Sequence, residues 1–453
     1  MLTVLRRFQL FILTSALAVL HLAAAAGDST AADDTRWWTA LGDATLDSLV
    51  DVGLRNNYDM AMAARRIGIA RAATGSARAA YFPTIGISAS YNKGQSSGMQ
   101  SSLGTKAAGY GYWQAGVDMQ WEIDVFGRIT SQVRESKARV RVSRAERDGV
   151  ELSLAAEIAS TYVSLRVDQA QLKIAEEHLG RQQKALSIAQ ARYETGLASM
   201  MDVDEAQQVY SSTLASIPAI EYSITSEINT LATLLVVTPD SLTPLLAAGE
   251  IPEYIAIVPN SIDSSMLRRR PDVVQAEETV DINAEALGVT KKEWLPRLTL
   301  EATAGTKSHN AGDLFSKNSF TYSVVPTLSW TIFEGMARKY ATESARLAMD
   351  NAIDSYNLTL CTAMQEASDA LASYLAGVRR IQALEAVVNA SEGYDRRALD
   401  NYKSGLSPYI NVAQAQMSYL ENVNELLQSR GDAIISLINL HKAVGGPLSP
   451  TIE

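Results

Sequence analysis

The chain has 453 residues, with 40 basic and 50 acidic side chains, a net charge of −10 and one cysteine. That balance argues against a nucleic-acid partner, and the lone Cys361 excludes an intramolecular disulfide. The length would ordinarily give two or three compact domains, but the apolar pattern points to long rods and paired strands instead.

The N-terminus reads as an export signal over residues 1–26. Arg6 and Arg7 form a short basic region, Phe8 to Leu20 an apolar run, and Ala24, Ala25 and Ala26 a cleavage site before Gly27. The apolar run is shorter than the ~20 residues a membrane helix needs. Losing Arg6 and Arg7 leaves 38 basic against 50 acidic side chains, a net charge near −12. No cysteine lies near the cleavage site, so no lipid anchor is expected there.

A first structural half is expected over residues 27–245. Ile85, Ile87, Ala89 and Tyr91 alternate with Thr84, Gly86, Ser88 and Ser90, giving a strand at about 82–91. Trp113, Ala115, Val117, Met119, Trp121 and Ile123 alternate with Gln114, Gly116, Asp118, Gln120, Glu122 and Asp124, giving a second at about 113–124. The Gly- and Ser-rich stretch from Asn92 to Tyr112 reads as an exposed loop. From Gly127 to Arg192 there is no proline, and Val150, Leu154, Ala155, Ile158, Tyr162 and Leu165 recur at steps of three and four. That predicts one helix of roughly 60 residues, on the order of 90 Å long. A tight turn at 196–199 follows, then a returning helix in which Pro218 should produce a kink or a local unwinding.

After a linker at 246–262, a second half is expected over 263–446, with a tail at 447–453. Its strands fall at about 297–304, where Leu298, Leu300, Ala302 and Ala304 form the apolar face, and at about 320–332, with Phe320, Tyr322, Val324, Leu328, Trp330 and Ile332. A proline-free rod runs from Ala337 to Tyr402 and reaches a turn at 405–407; Cys361, within it, reads as a packed small residue.

The halves are copies of one another. Tyr193, Gly196, Leu197, Val203, Ala206 and Gln207 recur 209 residues later as Tyr402, Gly405, Leu406, Val412, Ala415 and Gln416. Leu54, Arg55 and Asp59 recur as Leu267, Arg268 and Asp272, 213 residues on, and Tyr81-Phe82-Pro83 as Trp294-Leu295-Pro296. A period this long is a duplicated half-structure, not a solenoid repeat.

The strands exceed the ~5 to 6 residues usual in soluble sheets and carry aromatics near their ends, which favours a transmembrane barrel over a sandwich. Four strands cannot close a barrel, so several copies must pool theirs. A soluble coiled-coil envelope scaffold is the alternative from another class. His178, His309 and His441 are scattered with no metal-ligand spacing, His21 lies in the signal, and no phosphate-cradling loop is present, so neither an enzyme nor a cofactor is expected.

WWTALGDATLDSLV from Trp37, ARAAYFPTIGISASY ending at Tyr91, WEIDVFGR from Trp121, LRRRPDVVQAE from Leu267 and the two turns together resemble the TolC-like outer-membrane efflux channels, most closely the NodT-like subgroup. The resemblance implies a mainly α protein with a transmembrane β-barrel: a homotrimer whose four strands per chain make a 12-stranded barrel, and whose helical hairpins make a tunnel through the periplasm. It implies passive efflux with a periplasmic adaptor and an inner-membrane transporter of the resistance-nodulation-division type, with type I protein secretion as the rival task. NodT-like members usually carry a lipidated cysteine, which this chain lacks, so anchoring would rest on the barrel in outer-membrane lipid.

By the same resemblance Gly196, Leu197, Ala198 and Ser199, with Gly405, Leu406 and Ser407, are the tips that meet the adaptor. Asp202, Asp204 and Glu205 charge and narrow the resting entrance, with Asp202 bonding to Tyr402 of the neighbouring coil. At the second turn, where TolC has aspartates, Asn411 and Gln414 stand instead, which leaves cation selectivity there open.

Overall fold

The computed structural model describes residues 36–95 and 109–448, apart from 244, 245, 248, 255–257, 260 and 263. The export signal and the last five residues of the expected tail lie outside the described residues. After a 3-10 turn at Trp37–Leu41 come α1 (Ala44–Asn56), α2 (Tyr58–Ala79), β1 (Thr84–Gln95), β2 (Gly109–Ile123), α3 (Arg128–Glu194) and α4 (Met200–Leu235). The second half contributes α5 (Pro271–Lys292), β3 (Arg297–Ser308), β4 (Phe320–Ser329), α6 (Ala337–Lys403) and α7 (Ile410–Ala443).

The four strands make one antiparallel sheet in the order β1-β2-β3-β4, with Tyr91 opposite Trp113, Trp113 opposite Ser308 and Leu298 opposite Leu328. This register keeps the alternation coherent across the sheet. Ile87, Val117, Ala304 and Tyr322 line one face, while Ser88, Gly116, Gly305 and Thr321 line the other. The apolar face is bare in the protomer: Ile87 is 86% exposed and Tyr322 76%. Among the described residues no strand pairs with the outer edge of β1 or of β4.

The strands differ in length from the alternation-based expectation. β1 begins at Thr84 and runs on to Gln95, β2 begins four residues earlier at Gly109, β3 continues to Ser308, and β4 stops at Ser329. Asn92, Lys93, Gly94, Gly109 and Gly111 break the apolar pattern, yet the ladder between β1 and β2 supplies their backbone partners. Beyond Ser329 the chain turns away, and the Trp330 indole N–H donates to the Trp294 carbonyl at 3.0 Å.

The rods are single helices of 67 residues each, α3 and α6, about 100 Å long at 1.5 Å per residue, and they start 209 residues apart. Their buried positions are rich in alanine, including Ala155, Ala159, Ala185 and Ala189 on α3 and Ala363, Ala367 and Ala398 on α6. Small residues let neighbouring helices approach closely. The WEIDVFGR segment starts α3: the Asp124 carboxylate accepts from the Ile129 and Thr130 N–H groups at 3.0 and 2.8 Å, and Gly127 takes φ 76°. In the second copy Met336 stands in for Gly127 and is held at φ 68°, a conformation costly for a residue with a Cβ.

Two expectations for the helices need correction. Cys361 is exposed in the protomer and does not pack within a single chain. Ala363 and Ala367 mark the inward face of α6, and a position two residues away lies about 200° around the helix. Pro218 does not unwind α4, which is helical from Met200 to Leu235. The proline removes the donor for the Leu214 carbonyl, and Leu214 is 46% exposed, so water can supply the partner.

Equivalent joints tie each rod pair to the helix that leads into the strands. In the first half the Asn57 side chain donates to the Leu234 carbonyl at 2.9 Å near the end of α4. In the second, 213 residues on, Arg270 donates to the Ala443 carbonyl at 2.8 Å, and also to Asp272 and to Glu366 at 2.7 Å. Arg270 is 7% exposed with its donors largely spent. The LRRRPDVVQAE segment is thus a structural weld.

Among the described residues the apolar core divides into three clusters. One, around Trp37, Leu46, Ile158, Tyr162 and Leu235, lies where the first half meets its linker; another gathers Leu267, Ala363, Leu437 and Leu440. The third sits at the hairpin turns.

Candidate functional site: the paired hairpin turns

Both turns close by the same hydrogen bonds. Gly196 and Gly405 each take φ 75°, which only glycine adopts without strain. Leu197 N–H donates to the Arg192 carbonyl at 2.8 Å and Leu406 N–H to the Asn401 carbonyl at 2.8 Å, satisfying the last carbonyls of α3 and α6. The closure pushes Leu197 and Leu406 outward, 68% and 78% exposed, while Ala198 and Ser407 are half-buried.

The two returning helices start differently. Ser199 caps α4, accepting from Asp202 N–H at 3.4 Å and donating to the Asp202 carboxylate at 3.1 Å. In the second turn Pro408 occupies the equivalent place, and α7 begins without a side-chain cap. Asn411, Ala413 and Gln414 stand where Asp202, Asp204 and Glu205 stand in the first. The negative charge therefore belongs to the first turn.

The fold brings the turns together. The Tyr402 hydroxyl, at the end of α6, donates to the Asp202 carboxylate, at the start of α4, at 3.2 Å. Tyr402 is 1% exposed and packs edge-on against Tyr409, with ring centres 5.1 Å apart. Val203, Ala206, Val412, Ala413 and Ala415 complete the cluster. Burial, reinforced by the neighbouring Asp202 carboxylate, pushes the Tyr402 hydroxyl up to about 12, so it keeps its proton and acts as donor. Burial and the same carboxylate also raise the Glu205 carboxyl. Asp204 and Gln414 are exposed, and Asn411 is half-exposed beside them.

Two residues outside the sequence-predicted set belong here. Arg192 lies over the Tyr402 ring at 5.0 Å and donates to the Lys403 carbonyl at 2.8 Å and the Leu197 carbonyl at 3.4 Å, so one side chain clasps both turns. It opens the repeated motif but aligns with Asn401, and a comparison of the copies passes over it. Tyr409 is the other, and its buried hydroxyl has no partner among the described residues.

Among the described residues no cluster of His, Cys, Asp and Glu is placed to hold a metal. No helix among the described residues is long and apolar enough to cross a membrane.

A family model described as outer membrane efflux protein matches residues 49–236 and 263–446. The chain is 27% identical over 419 residues to the probable efflux pump outer membrane protein TtgC of Pseudomonas putida KT2440, covering 92% of this chain and 86% of that one. The structure of the outer-membrane channel OprN superposes with a TM-score of 0.85 at 26% identity, over 94% of this chain and 97% of that chain. That of the outer membrane protein VceC of Vibrio cholerae gives 0.81 at 26% identity, over 91% and 98%. The duplicated rods, the four-stranded sheet and these likenesses agree: the chain belongs to the outer membrane efflux protein family, whose members are passive channels and not enzymes.

Proposed function

We propose that three copies of the chain form the exit duct of a tripartite efflux pump, receiving substrate from an inner-membrane transporter of the resistance-nodulation-division type through a periplasmic adaptor. The observation that carries this is the sheet: its apolar face is bare, its opposite face is polar, and its two edges are open while 67-residue rods extend from the same chain. In lipid an open edge strands its backbone groups, so the sheet must continue into other copies. Three copies give 12 strands, enough to enclose a lumen lined by the polar face.

The exposed Leu197 and Leu406 suit a partner's hairpins, and Gly196, Ala198, Ser199, Gly405 and Ser407 let another backbone approach closely. The Asp202 to Tyr402 bond holds the resting entrance narrow, with Asp204 and Glu205 adding charge and Asn411 and Gln414 leaving the second turn neutral. Opening moves α4 away from the end of α6 when adaptor contacts favour the wider state. Energy comes from the transporter. The test is electron microscopy of protein extracted from the outer-membrane fraction in detergent. Hollow three-fold tubes on the order of 100 Å or longer are expected, and solid rods soluble without detergent would overturn the channel.

A further inference from the structure

The face of the sheet assigned to the lumen is not uniformly polar. At the outer end of β2, in the stretch that reads as a loop, Tyr110 and Tyr112 occupy the same face as Gln114 and Asp118. Their rings are nearly parallel, 18° apart with centres 6.2 Å from one another. Lys307, on the same face of β3, sets its ammonium 3.8 Å from the centre of the Tyr112 ring. Tyr110 is opposite Gly94, and a Cβ on Gly94 would sit 2.7 Å from the tyrosine hydroxyl and ring carbon. The missing side chain is what lets the Tyr110 ring lie across β1 with 48% of its surface exposed.

The acidic groups on this face lie deeper. Asp118 follows Tyr112 by six residues, and Glu301 precedes Lys307 by six, about 20 Å along each strand. Glu122, deeper still, is neutralised by Arg128 at 2.8 Å. The exit of the barrel thus combines flat aromatic faces with a cation, and in a trimer the set occurs three times around the axis.

We propose that the outer end of the lumen carries a binding site for aromatic anions, formed in each protomer by Tyr110 and Tyr112 as a flat wall and Lys307 as its charge. The inference rests on the channel assignment above. An aromatic ring stacks on the tyrosines while its anionic group meets the ammonium, and an anion without a ring lacks the stacking contribution. The site gives departing aromatic anions a last weak foothold and sets the outer mouth opposite in sign to the acidic inner entrance.

Single-channel recordings on the full-length protein in planar bilayers test it, with naphthalene-2-sulfonate in both chambers and methanesulfonate as the control. The aromatic sulfonate should block the wild-type pore at lower concentration than methanesulfonate. Lys307→Glu and Gly94→Val should each raise its half-blocking concentration on the order of fivefold, the first by reversing the charge and the second by lifting Tyr110 off the wall. Equal block by the two sulfonates, or block unchanged in both variants, would overturn the site while leaving the channel standing. A preparation that forms no conducting pores would instead overturn the channel assignment, and the site with it.

Discussion

At the scale of single residues, the hydrogen bond from Tyr402 to Asp202 is the contact most directly tied to the proposed gate, because it joins the two hairpins where they turn. A hydrogen bond to a carboxylate contributes about 1.5–3 kcal/mol, so its loss shifts a closed-to-open balance by on the order of tenfold or more. Tyr402→Phe and Asp202→Ala should therefore each raise conductance in planar bilayers; conductance unchanged in both would remove the pair from the gate. A second residue-scale prediction concerns His178, which is 2% exposed with neither ring nitrogen hydrogen-bonded among the described residues. It packs on Tyr419 with ring centres 4.9 Å apart, and burial, followed by the nearby Arg181 charge, holds its pKa down at about 4. The folded state thus favours neutral histidine. Its contribution is present above the ordinary histidine value of about 6.5 and is lost as pH falls from there towards about 4. His178→Leu should flatten that acid loss in melting temperatures followed by circular dichroism, an effect on the order of 1–3 kcal/mol per protomer. An unaltered acid limb would show that other groups govern it.

At the scale of elements, the duplication can be read in mechanics as well as in letters. Asn57 and Arg270 look unrelated in chemistry, yet each donates to the carbonyl near the end of its own returning helix. Asn57→Ala removes both that bond and the cap of α2, where the side chain accepts from Asp59 N–H at 2.7 Å, and should cost about 1–2 kcal/mol. Arg270→Ala leaves a buried carbonyl without its donor and two carboxylates without their cation, and should cost about 3 kcal/mol or more. Denaturation of the detergent-solubilised protein would rank the two; equal and negligible losses would end the description of these contacts as joints. The helices were legible from the absence of proline and the spacing of apolar residues over more than 60 positions. The strand ends were not, because Gly94, Gly109 and Gly111 carry no face information, and only the partner strand shows that they belong to the ladder.

At the scale of the whole molecule, the assignment of faces is the claim with the largest consequence, since one sheet must meet lipid on one side and water on the other. Ile87 and Ser88 are neighbours in β1 and point oppositely. Ile87→Arg places a charge against hydrocarbon, a penalty of about 2–4 kcal/mol near the bilayer midplane, whereas Ser88→Arg projects into the lumen. The first should sharply reduce trimer in the outer-membrane fraction and the second should leave it near the wild-type amount. Similar yields from both would mean that the faces are wrongly assigned or that the sheet does not enter lipid.

By itself, the order of residues determined the duplication, the two rods, the alternating strands and the two glycine turns, because each depends on the local period of side chains along one chain. It also carried enough motif to indicate the family. Only the tertiary structure decided that Arg192 clasps both turns, that Cys361 faces outward, that Asn57 and Arg270 do one job, and that Tyr110 lies flat over Gly94 beside Tyr112 and Lys307. Those relations join residues from different elements, and which of them meet depends on strand register and on the rotation of one helix against another, quantities that a linear pattern does not contain.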